Sequence, residues 1–208
     1  AIQQLRSEGL RIDGTAGEGY RLVDETGFGL HTLSWKLNRD IHFFDECDST
    51  NMEARRLASK GPSQPPTIVI ANHQRAGRGR LGRQWNAEAG LNLLFSMVLH
   101  PSVPPQHASV CVLAWAAAMA AVLDCQVKWP NDLVNRDGEK LGGILAELSA
   151  EAESVRFVVL GVGINVNQVD FPGLPQATSV ARMRGEPQDR AALLQRLSLI
   201  HISEPTRL

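Results

Sequence analysis

Cysteine is scarce in this chain, and the few cysteines form no recognisable metal or disulfide pattern. Cys47, Cys111 and Cys125 are odd in number and lack the short spacings of metal ligands. Such sparse use argues against a disulfide-stapled secreted scaffold and is typical of a reducing compartment, so we expect a cytoplasmic protein. No signal peptide is visible, although a first residue of alanine suggests that the natural start is missing.

The chain also lacks a strong net charge and a long apolar run. Its formal net charge of -1 argues against general coating of nucleic acid, so any basic function must be local. The longest uncharged apolar stretch, residues 108–123, is shorter than the about 20 residues that a membrane span needs. We therefore expect no membrane partner, and a helix that is buried all round in one sizeable core.

The stretch from Thr67 to Trp85, TIVIANHQRAGRGRLGRQW, joins a β-branched strand to a basic loop. We call residues 75–85 the arginine loop. It contains four arginines, three glycines and no acid. Arginine suits phosphate and carboxylate, and glycine lets the backbone approach a ligand closely. The pattern predicts a loop that closes over an anion, although a simple solvated basic loop would look similar.

The glycines of this loop also match the spacing of a dinucleotide fingerprint, Gly77-x-Gly79-x-x-Gly82. That fingerprint requires the glycines to open a helix within a βαβ unit. Here Gln84-Trp85-Asn86 and then another strand-like run follow. We therefore do not predict a Rossmann fold.

Hydrophobic periodicity and turn residues predict alternating helices and strands along the rest of the chain. Predicted helices end at Gly9, cover residues 33–37, 50–60 and 106–124, and begin again near Gln188 or Asp189. Predicted strands cover residues 10–13, 20–23, 41–45, 67–70, 91–99, 127–129, 133–135, 140–148 and 155–167.

Three further segments carry polar or glycine patterns that suit a ligand site. Thr50 and Glu53 form a capping-box pattern, and the turn before this helix either merely caps it or presents hydroxyl and amide groups to a polar ligand. Pro130-Asn131-Asp132 follows a short strand, where ligand sites tend to gather. Glycine pairs at 142–143 and at 161 and 163 indicate β-bulges or a close approach of ligand or backbone.

Taken together and in order, five motifs resemble those of biotin–protein ligases, over about residues 1–196. The motifs are Asp48-Ser49-Thr50-Asn51; Gln74 with Gly77-Arg78-Gly79-Arg80-Leu81-Gly82-Arg83 and Trp85; Lys128-Trp129-Pro130-Asn131-Asp132; Lys140-Leu141-Gly142-Gly143-Ile144-Leu145; and Gly161-Val162-Gly163-Ile164-Asn165. Lipoate–protein ligases share the fold without the GRGRxGR and KWPND strings.

The resemblance implies an α+β fold, with a mixed sheet of about seven strands packed by helices as in class II aminoacyl-tRNA synthetases. Residues 1–23 would be the remnant of a winged helix-turn-helix domain, 24–40 a linker and first helix, and 41–196 the catalytic domain. The family's C-terminal SH3-like β-domain is expected to be missing from this sequence, and the truncated winged helix should not bind operator DNA specifically. Residues 197–208, LSLIHISEPTRL, resemble a translated sequencing adapter and are expected to be non-native.

The family uses ATP and Mg²⁺ to form biotinyl-5′-AMP from biotin, and then transfers biotin to a lysine of a carboxyl carrier protein. No protein nucleophile is needed, in agreement with the lack of a Ser/His/Asp or Cys/His constellation. The resemblance implies catalytic roles for Lys140, Arg80 and Asp132. Implied biotin-binding residues are Ser49, Thr50, Asn51, Gln74, Arg78, Gly79, Arg80, Lys140 and Gly143. Implied nucleotide-binding residues are Arg78, Arg80, Lys128, Trp129, Asn131 and Asn165.

The same match implies no direct protein metal site, with Mg²⁺ entering with ATP near Asp132. Trp85 and Trp129 are predicted pocket walls, although core packing would also explain either. Expected partners are a biotin carboxyl carrier domain, operator DNA for the full-length protein alone, and a second copy in a homodimer. Two alternatives stay open: a ligand-sensing DNA-binding regulator without ligase activity, and a lipoate or octanoate–protein ligase on the same fold.

Overall fold

The structure is a computed structural model that describes residues 1–15, 17, 19–24, 27–38, 41–62, 66–101, 103–151 and 154–203. Its helices are α1 (Ile2–Ser7), α2 (Leu30–Leu37), α3 (Thr50–Ala58), α4 (Ala108–Leu123), α5 (Val180–Arg184) and α6 (Arg190–Ser203). Its strands are β1 (Arg11–Thr15), β2 (Gly19–Asp24), β3 (His42–Cys47), β4 (Ile68–Gln74), β5 (Leu93–Leu99), β6 (Gln126–Lys128), β7 (Asp132–Val134), β8 (Lys140–Ala150) and β9 (Val155–Ile164).

Seven of the described strands form one mixed sheet in the order β3-β4-β5-β9-β8-β7-β6. Strands β3 and β4 run parallel, and the other neighbours run antiparallel. The predicted α+β fold with a mixed sheet of about seven strands is therefore confirmed. The central strands β5 and β9 pair from Leu93 opposite Ile164 to Leu99 opposite Val158, which explains why both are almost continuously apolar.

Helices cover both faces of this sheet, and the alternation of side chains along each strand divides them. Ile70 on β4 and Leu160 on β9 pack with α2, α4 and α6 in the main core. Their neighbours Val69 and Val159 point the other way and pack with Ala54 on α3. Gly161 and Gly163 therefore lie on the face of the sheet that packs against α3.

Helix α4 differs from its prediction, because it is not buried all round. Trp115, Met119 and Leu123 are buried against the core, whereas Val110 and Leu113 are exposed. Because α4 is apolar on every side, its sequence does not indicate which side packs against the core. Within the described chain, one stretch, Pro105–Leu123, is long and apolar enough to cross a membrane, but its buried side packs as a core helix does.

Helix α6 begins where the sequence predicts, because the Asp189 carboxylate accepts hydrogen bonds from the Ala191 and Ala192 backbone N–H groups. The helix continues through Ser203, and Leu197 is buried in the core. The predicted non-native origin of residues 197–208 stays a prediction, and residues 204–208 lie outside the described chain. The short helix α5 was not predicted.

The amino-terminal helix and hairpin, α1 with β1 and β2, form as expected, whereas their origin in a winged-helix domain stays a prediction. Glu8 links them to helix α2, since its carboxylate accepts hydrogen bonds from the Thr32 backbone N–H and hydroxyl, both at 2.9 Å. Together with its contacts to His31, these hydrogen bonds lower the pKa of Glu8 against the opposing effect of burial. Parts of the predicted hairpin tip and linker, at residues 16, 18, 25–26 and 39–40, lie outside the described residues.

Candidate functional site

A cavity of about 340 Å³ opens on the α3 side of the sheet, between the start of α3, the arginine loop and strands β7 to β9. Most of the residues implied by the motifs line it. These are Ser49, Thr50, Asn51, Gln74, Arg78, Gly79, Arg80, Asn131, Asp132, Lys140 and Gly143. Gly161 and Gly163 also line the cavity, so residues from all five motifs meet in one place.

One wall of the cavity is a chain of neutral polar groups with few free hydrogen-bonding atoms. The Gln74 side-chain oxygen accepts from the Thr50 backbone N–H at 2.7 Å and from its hydroxyl at 3.0 Å. The Ser96 hydroxyl lies 2.8 Å from the Thr50 hydroxyl and 2.6 Å from the Asn51 side-chain oxygen. Because the Gln74 oxygen is occupied twice, its amide nitrogen remains as the donor toward the cavity. We call Thr50, Asn51, Gln74 and Ser96 the polar wall.

The capping-box prediction at this turn is wrong. Ser49, not Thr50, is the residue before the first turn of α3, and it makes no side-chain capping hydrogen bond. The Thr50 hydroxyl bonds to Gln74 instead, and Glu53 pairs with Arg56. Competition from a neighbouring strand has replaced local capping, which favours the ligand-site interpretation of the turn.

The arginine loop is a closed turn rather than the start of a helix, as the rejection of the dinucleotide fingerprint predicted. The Trp85 backbone N–H donates to the Gly77 carbonyl at 2.9 Å, and that of Gly79 donates to the Arg83 carbonyl at 2.7 Å. A Cβ on Gly77 would lie 2.3 Å from the Trp85 carbonyl oxygen, so only glycine allows this closure. Leu81, at φ 55°, forms the exposed tip.

Carboxylates from the sheet approach this loop, although its own sequence contains none. An Arg78 guanidinium nitrogen lies 3.1 Å from Oε1 of Glu147, on β8. The arginine loop therefore has no acidic residue in its own sequence, but a carboxylate from β8 lies beside it in the structure. Arg80 makes a longer contact, 3.5 Å, to the Asn131 side-chain oxygen.

Lys140 and Asp132, two residues expected to act in catalysis, form an ion pair at 2.7 Å between Nζ and Oδ1. Adjacent antiparallel strands bring them together, since Asp132 on β7 lies opposite Gly143 on β8 and the Lys140 side chain reaches toward the same glycine. The Lys140 ammonium also lies 5.6 Å from the ring centre of Trp85. Trp85 lines the cavity, and its indole N–H is buried without a hydrogen-bond partner.

The glycines of β8 and β9 make room for cavity side chains rather than forming bulges in their shared pairing. The β8–β9 register is continuous past all four. A Cβ on Gly161 would lie 2.0 Å from the Asn51 side-chain oxygen, and one on Gly163 would lie 2.5 Å from the Trp85 ring. The close-approach interpretation is therefore the one that the structure supports at these two positions.

Three residues implied by the resemblance lie outside the lining of this cavity. Lys128 is exposed at the end of β6. Trp129 is 75% exposed and borders a neighbouring cavity of about 380 Å³, which shares Arg80 and Asn131 with the first. Asn165 is buried, and its amide nitrogen donates to the Thr178 carbonyl at 3.0 Å.

Sequence reasoning missed Ser96, a member of the polar wall, and Glu147, which contacts that wall through Asn51. Ser96 is the one polar residue in the apolar run Leu93–Leu99, which was an available signal. Glu147 follows Gly143 and Leu145 at alternate positions of β8, so it shares their sheet face.

The site combines neutral hydrogen-bonding groups with cations, of which Arg78 and Lys140 have carboxylate partners whereas Arg80 contacts a neutral amide. Burial raises the pKa of Cys47, next to the site, to about 11, so its thiol stays protonated near neutral pH. Among the described residues, no group of three or more His, Cys, Asp or Glu side chains could hold a metal ion. The arrangement suits a ligand with a neutral polar end and an anionic end.

Comparison with known proteins identifies the family to which this chain belongs. Residues 44–165 match the model of the Biotin/lipoate A/B protein ligase family. The chain is 36% identical to the bifunctional ligase/repressor BirA of Bacillus subtilis over 216 residues, which cover 95% of this chain and 65% of that protein. It is 37% identical to the biotin–[acetyl-CoA-carboxylase] ligase of Mycobacterium tuberculosis, covering 76% of this chain and 61% of that protein. It thus spans about two thirds of the length of these relatives.

A solved structure of biotin protein ligase from Aquifex aeolicus in complex with biotin and ATP has a TM-score of 0.61 and 31% identity, covering 78% of this chain and 68% of that chain. Biotin protein ligase from Leishmania major, in complex with biotinyl-5-AMP, has a TM-score of 0.63 at 22% identity, and covers 78% of this chain and 73% of its own. The second likeness concerns the fold alone.

Proposed function

Because this chain belongs to the Biotin/lipoate A/B protein ligase family, we propose that it is the catalytic part of an ATP-dependent biotin–protein ligase. In the first step, a biotin carboxylate oxygen attacks the α-phosphorus of ATP, which forms biotinyl-5′-AMP and releases pyrophosphate. In the second, a lysine amine of a carrier protein attacks the acyl carbon, and AMP leaves. The meeting of a neutral polar wall with Arg78, Arg80 and Lys140 in one cavity is the observation that carries this proposal.

The polar wall suits the ureido ring of biotin, which is neutral and offers both donors and an acceptor. The amide nitrogen of Gln74 is free to donate to the ureido oxygen, because Thr50 occupies the Gln74 oxygen twice. Ser49 and Asn51 line the same end of the cavity. Gly79 and Gly143 let the backbone approach the ligand closely.

The cationic side suits the chemistry of acyl phosphate formation. Joining a carboxylate to a phosphate brings two anions together, and fixed cations offset the repulsion and stabilise charge that develops in the transition state. Lys140 would meet the carboxylate, while Arg78 and Arg80 would hold the phosphate. Mg²⁺ would enter with ATP near Asp132 and neutralise phosphate charge.

Asp132 is proposed to act in the second step as the base that accepts a proton from the incoming lysine. Its carboxylate lies in the cavity and pairs with Lys140 at 2.7 Å. An Asp132→Ala variant should retain biotin binding but transfer biotin slowly. A normal transfer rate in this variant would remove that role.

The nucleotide is proposed to contact Arg78, Arg80 and Asn131 from within the cavity. Roles for Lys128, Trp129 and Asn165 rest on the resemblance alone, because their side chains lie outside the lining. Trp129 borders the adjoining cavity beside Asn131.

For the longer parent protein we propose three partners and a location. The acceptor is a lysine of a biotin carboxyl carrier domain of a carboxylase. Operator DNA and a second copy of the chain are proposed because the relative in Bacillus subtilis is named a ligase/repressor, and because α1 with its hairpin fits the end of a winged helix. The sparse cysteines favour the cytoplasm.

The proposal is tested by ATP-dependent incorporation of labelled biotin into a carrier domain, with this chain and with its longer parent in parallel. Incorporation that needs ATP and one acceptor lysine would support the ligase. A parent that binds biotin without incorporating it would indicate the sensor alternative. If lipoate or octanoate raises the melting temperature and biotin does not, the lipoate-type alternative replaces this one.

A further inference from the structure

Glu147 is a partly buried carboxylate that lies directly behind the cavity on β8. Its side chain is 17% exposed, whereas that of its partner Arg78 is 51% exposed. It does not line the cavity but contacts two residues that do, Asn51 and Arg78. A carboxylate at this exposure needs partners for both oxygens, because an unpaired buried charge is costly.

The two oxygens of Glu147 bind two different elements of the site. Oε2 accepts a hydrogen bond from the Asn51 side-chain nitrogen at 2.9 Å, at the start of α3. Oε1 lies 3.1 Å from a guanidinium nitrogen of Arg78, in the arginine loop. One carboxylate thus connects the polar wall with the loop that covers the cavity.

The contact with Asn51 fixes which way the amide of that residue points. Its nitrogen faces Glu147, and its oxygen lies 2.6 Å from the Ser96 hydroxyl, which donates to it. The remaining neighbour of the nitrogen, the Leu145 carbonyl, is 3.4 Å away and forms a weaker bond. Without Glu147, the amide could rotate and offer the wrong group to a ligand.

The contact with Arg78 holds the loop against the sheet. The two groups form an ion pair, and its 3.1 Å separation is shorter than the 3.5 Å contact from Arg80 to the neutral side chain of Asn131. Arg75 pairs with Asp48 near the beginning of the loop, so Glu147 is the carboxylate that anchors the loop nearer its tip.

We propose that Glu147 is a positioning residue that latches the arginine loop over the cavity and at the same time presets Asn51 for the ligand. The role rests on the proposed function in one respect, namely that biotin is the ligand whose affinity depends on it. Opening of the loop can be measured without any ligand, so failure of the latch and failure of the ligase assignment are distinguishable.

The first test is limited trypsin digestion without ligand, with cleavage after Arg80 and Arg83 followed by mass spectrometry. Glu147→Gln should speed this cleavage by roughly threefold to fivefold, the change expected for loss of an ion pair with one half-exposed partner. Glu151→Gln is the matched control, because Glu151 pairs with Arg156 at the far end of the same hairpin. Equal cleavage in the two variants would overturn the latch.

The second test asks whether Glu147 acts on the loop through Arg78. Arg78→Gln should speed the same cleavages, and adding Glu147→Gln should then change them by less than about twofold, since both changes remove one pair. Fully additive effects would contradict the proposal. Should Glu147→Gln fail to give a normal circular dichroism melt, Arg78→Gln alone tests the latch from its other side.

The third test uses steady-state ligation. Glu147→Gln should raise the KM for biotin by about tenfold and leave kcat within about twofold, because it disturbs binding geometry rather than the reacting atoms. A fall in kcat at unchanged KM would contradict a positioning role. A wild-type chain that ligates no biotin would refute the proposed function, while the digestion still decides on the latch.

Discussion

The two sides of the cavity, the polar wall and the arginine loop, are built by different physical means. The wall is buried except for the half-buried Gln74, and it uses neutral hydrogen bonds among Thr50, Asn51, Gln74 and Ser96, each no longer than 3.0 Å. The loop is largely exposed, and the contacts that the Arg78 and Arg80 side chains make with the sheet side of the cavity are ionic or long.

This difference indicates a division of labour. Buried neutral networks are rigid and exact in direction, so they suit recognition of a fixed ring. Exposed ion pairs contribute little stability and exchange partners readily, so they suit a part that must accept an anion and later release it. We therefore expect changes in the wall to affect mainly the KM for biotin, and changes on the cationic side to affect mainly the rate or the retention of the intermediate.

The largest effect is expected at Lys140. Lys140→Met should lower the rate of biotin-dependent pyrophosphate release by about 10² to 10³, because it removes a cation placed where charge develops. Lys60→Met, at an exposed position after α3, is the control. Similar rates in the two variants would contradict the expectation that the cationic side of the cavity determines the reaction rate.

Retention of the intermediate should depend on Arg80. Arg80→Gly should release biotinyl-5′-AMP and increase labelling of lysines on an unrelated bystander protein by about tenfold, the effect of losing one charged hydrogen bond. Arg75→Gly lies in the same loop but pairs with Asp48, so it serves as control. Labelling that stays confined to the carrier would count against this role of Arg80.

The rigidity of the wall can be tested at Gly161. Gly161→Ala should lower Tm by roughly 5 °C, because the new methyl group would overlap the Asn51 side chain. Gly143→Ala is the comparison for stability, since its Cβ would meet ordinary contacts of 3.5 Å or more. Equal Tm values would show that the wall yields easily, contrary to a preset binding surface.

Ser96 should have a smaller effect, confined to binding. Ser96→Ala removes the hydroxyl between Thr50 and Asn51 and should raise the KM for biotin by about fivefold, corresponding to about 1 kcal/mol, with kcat nearly unchanged. Ser59→Ala, at the far end of α3, is the control. A fall in kcat instead would contradict the expectation that changes in the polar wall affect mainly the KM for biotin.

The smallest effect concerns pH and the thiols of Cys47 and Cys125. Burial raises the pKa of each from 9.0 to about 11, so the folded state favours the neutral thiol. The resulting stability is complete below pH 9 and is lost as pH rises through about 11. Iodoacetamide at pH 8 should therefore modify both only slowly in the folded chain, as peptide mapping would show, and rapid modification would contradict the raised pKa values.

Local sequence patterns predicted most of the helices and strands, whereas the resemblance of five motifs to biotin–protein ligases implied the mixed sheet and most of the cavity lining. They could not predict Ser96 or Glu147 as partners of Asn51, since those contacts depend on pairing between segments about 45 to 96 residues apart. The capping box failed for a related reason: Gln74 competes for the Thr50 hydroxyl across 24 residues of chain. The exposed side of α4 could not be predicted, because the helix sequence is apolar on every side.

The position of Trp85 provides the protein with its own optical probe. Of the four tryptophans, Trp35 and Trp129 are exposed and Trp115 is buried in the core, while Trp85 borders the cavity. Its indole lies beside an ammonium group and has a buried N–H without a partner. Indole emission responds to nearby charge and hydrogen bonding, so occupancy of the cavity should change the intrinsic fluorescence. Ligand titrations can thus be followed on the unlabelled chain, with Trp35→Phe and Trp129→Phe lowering the background.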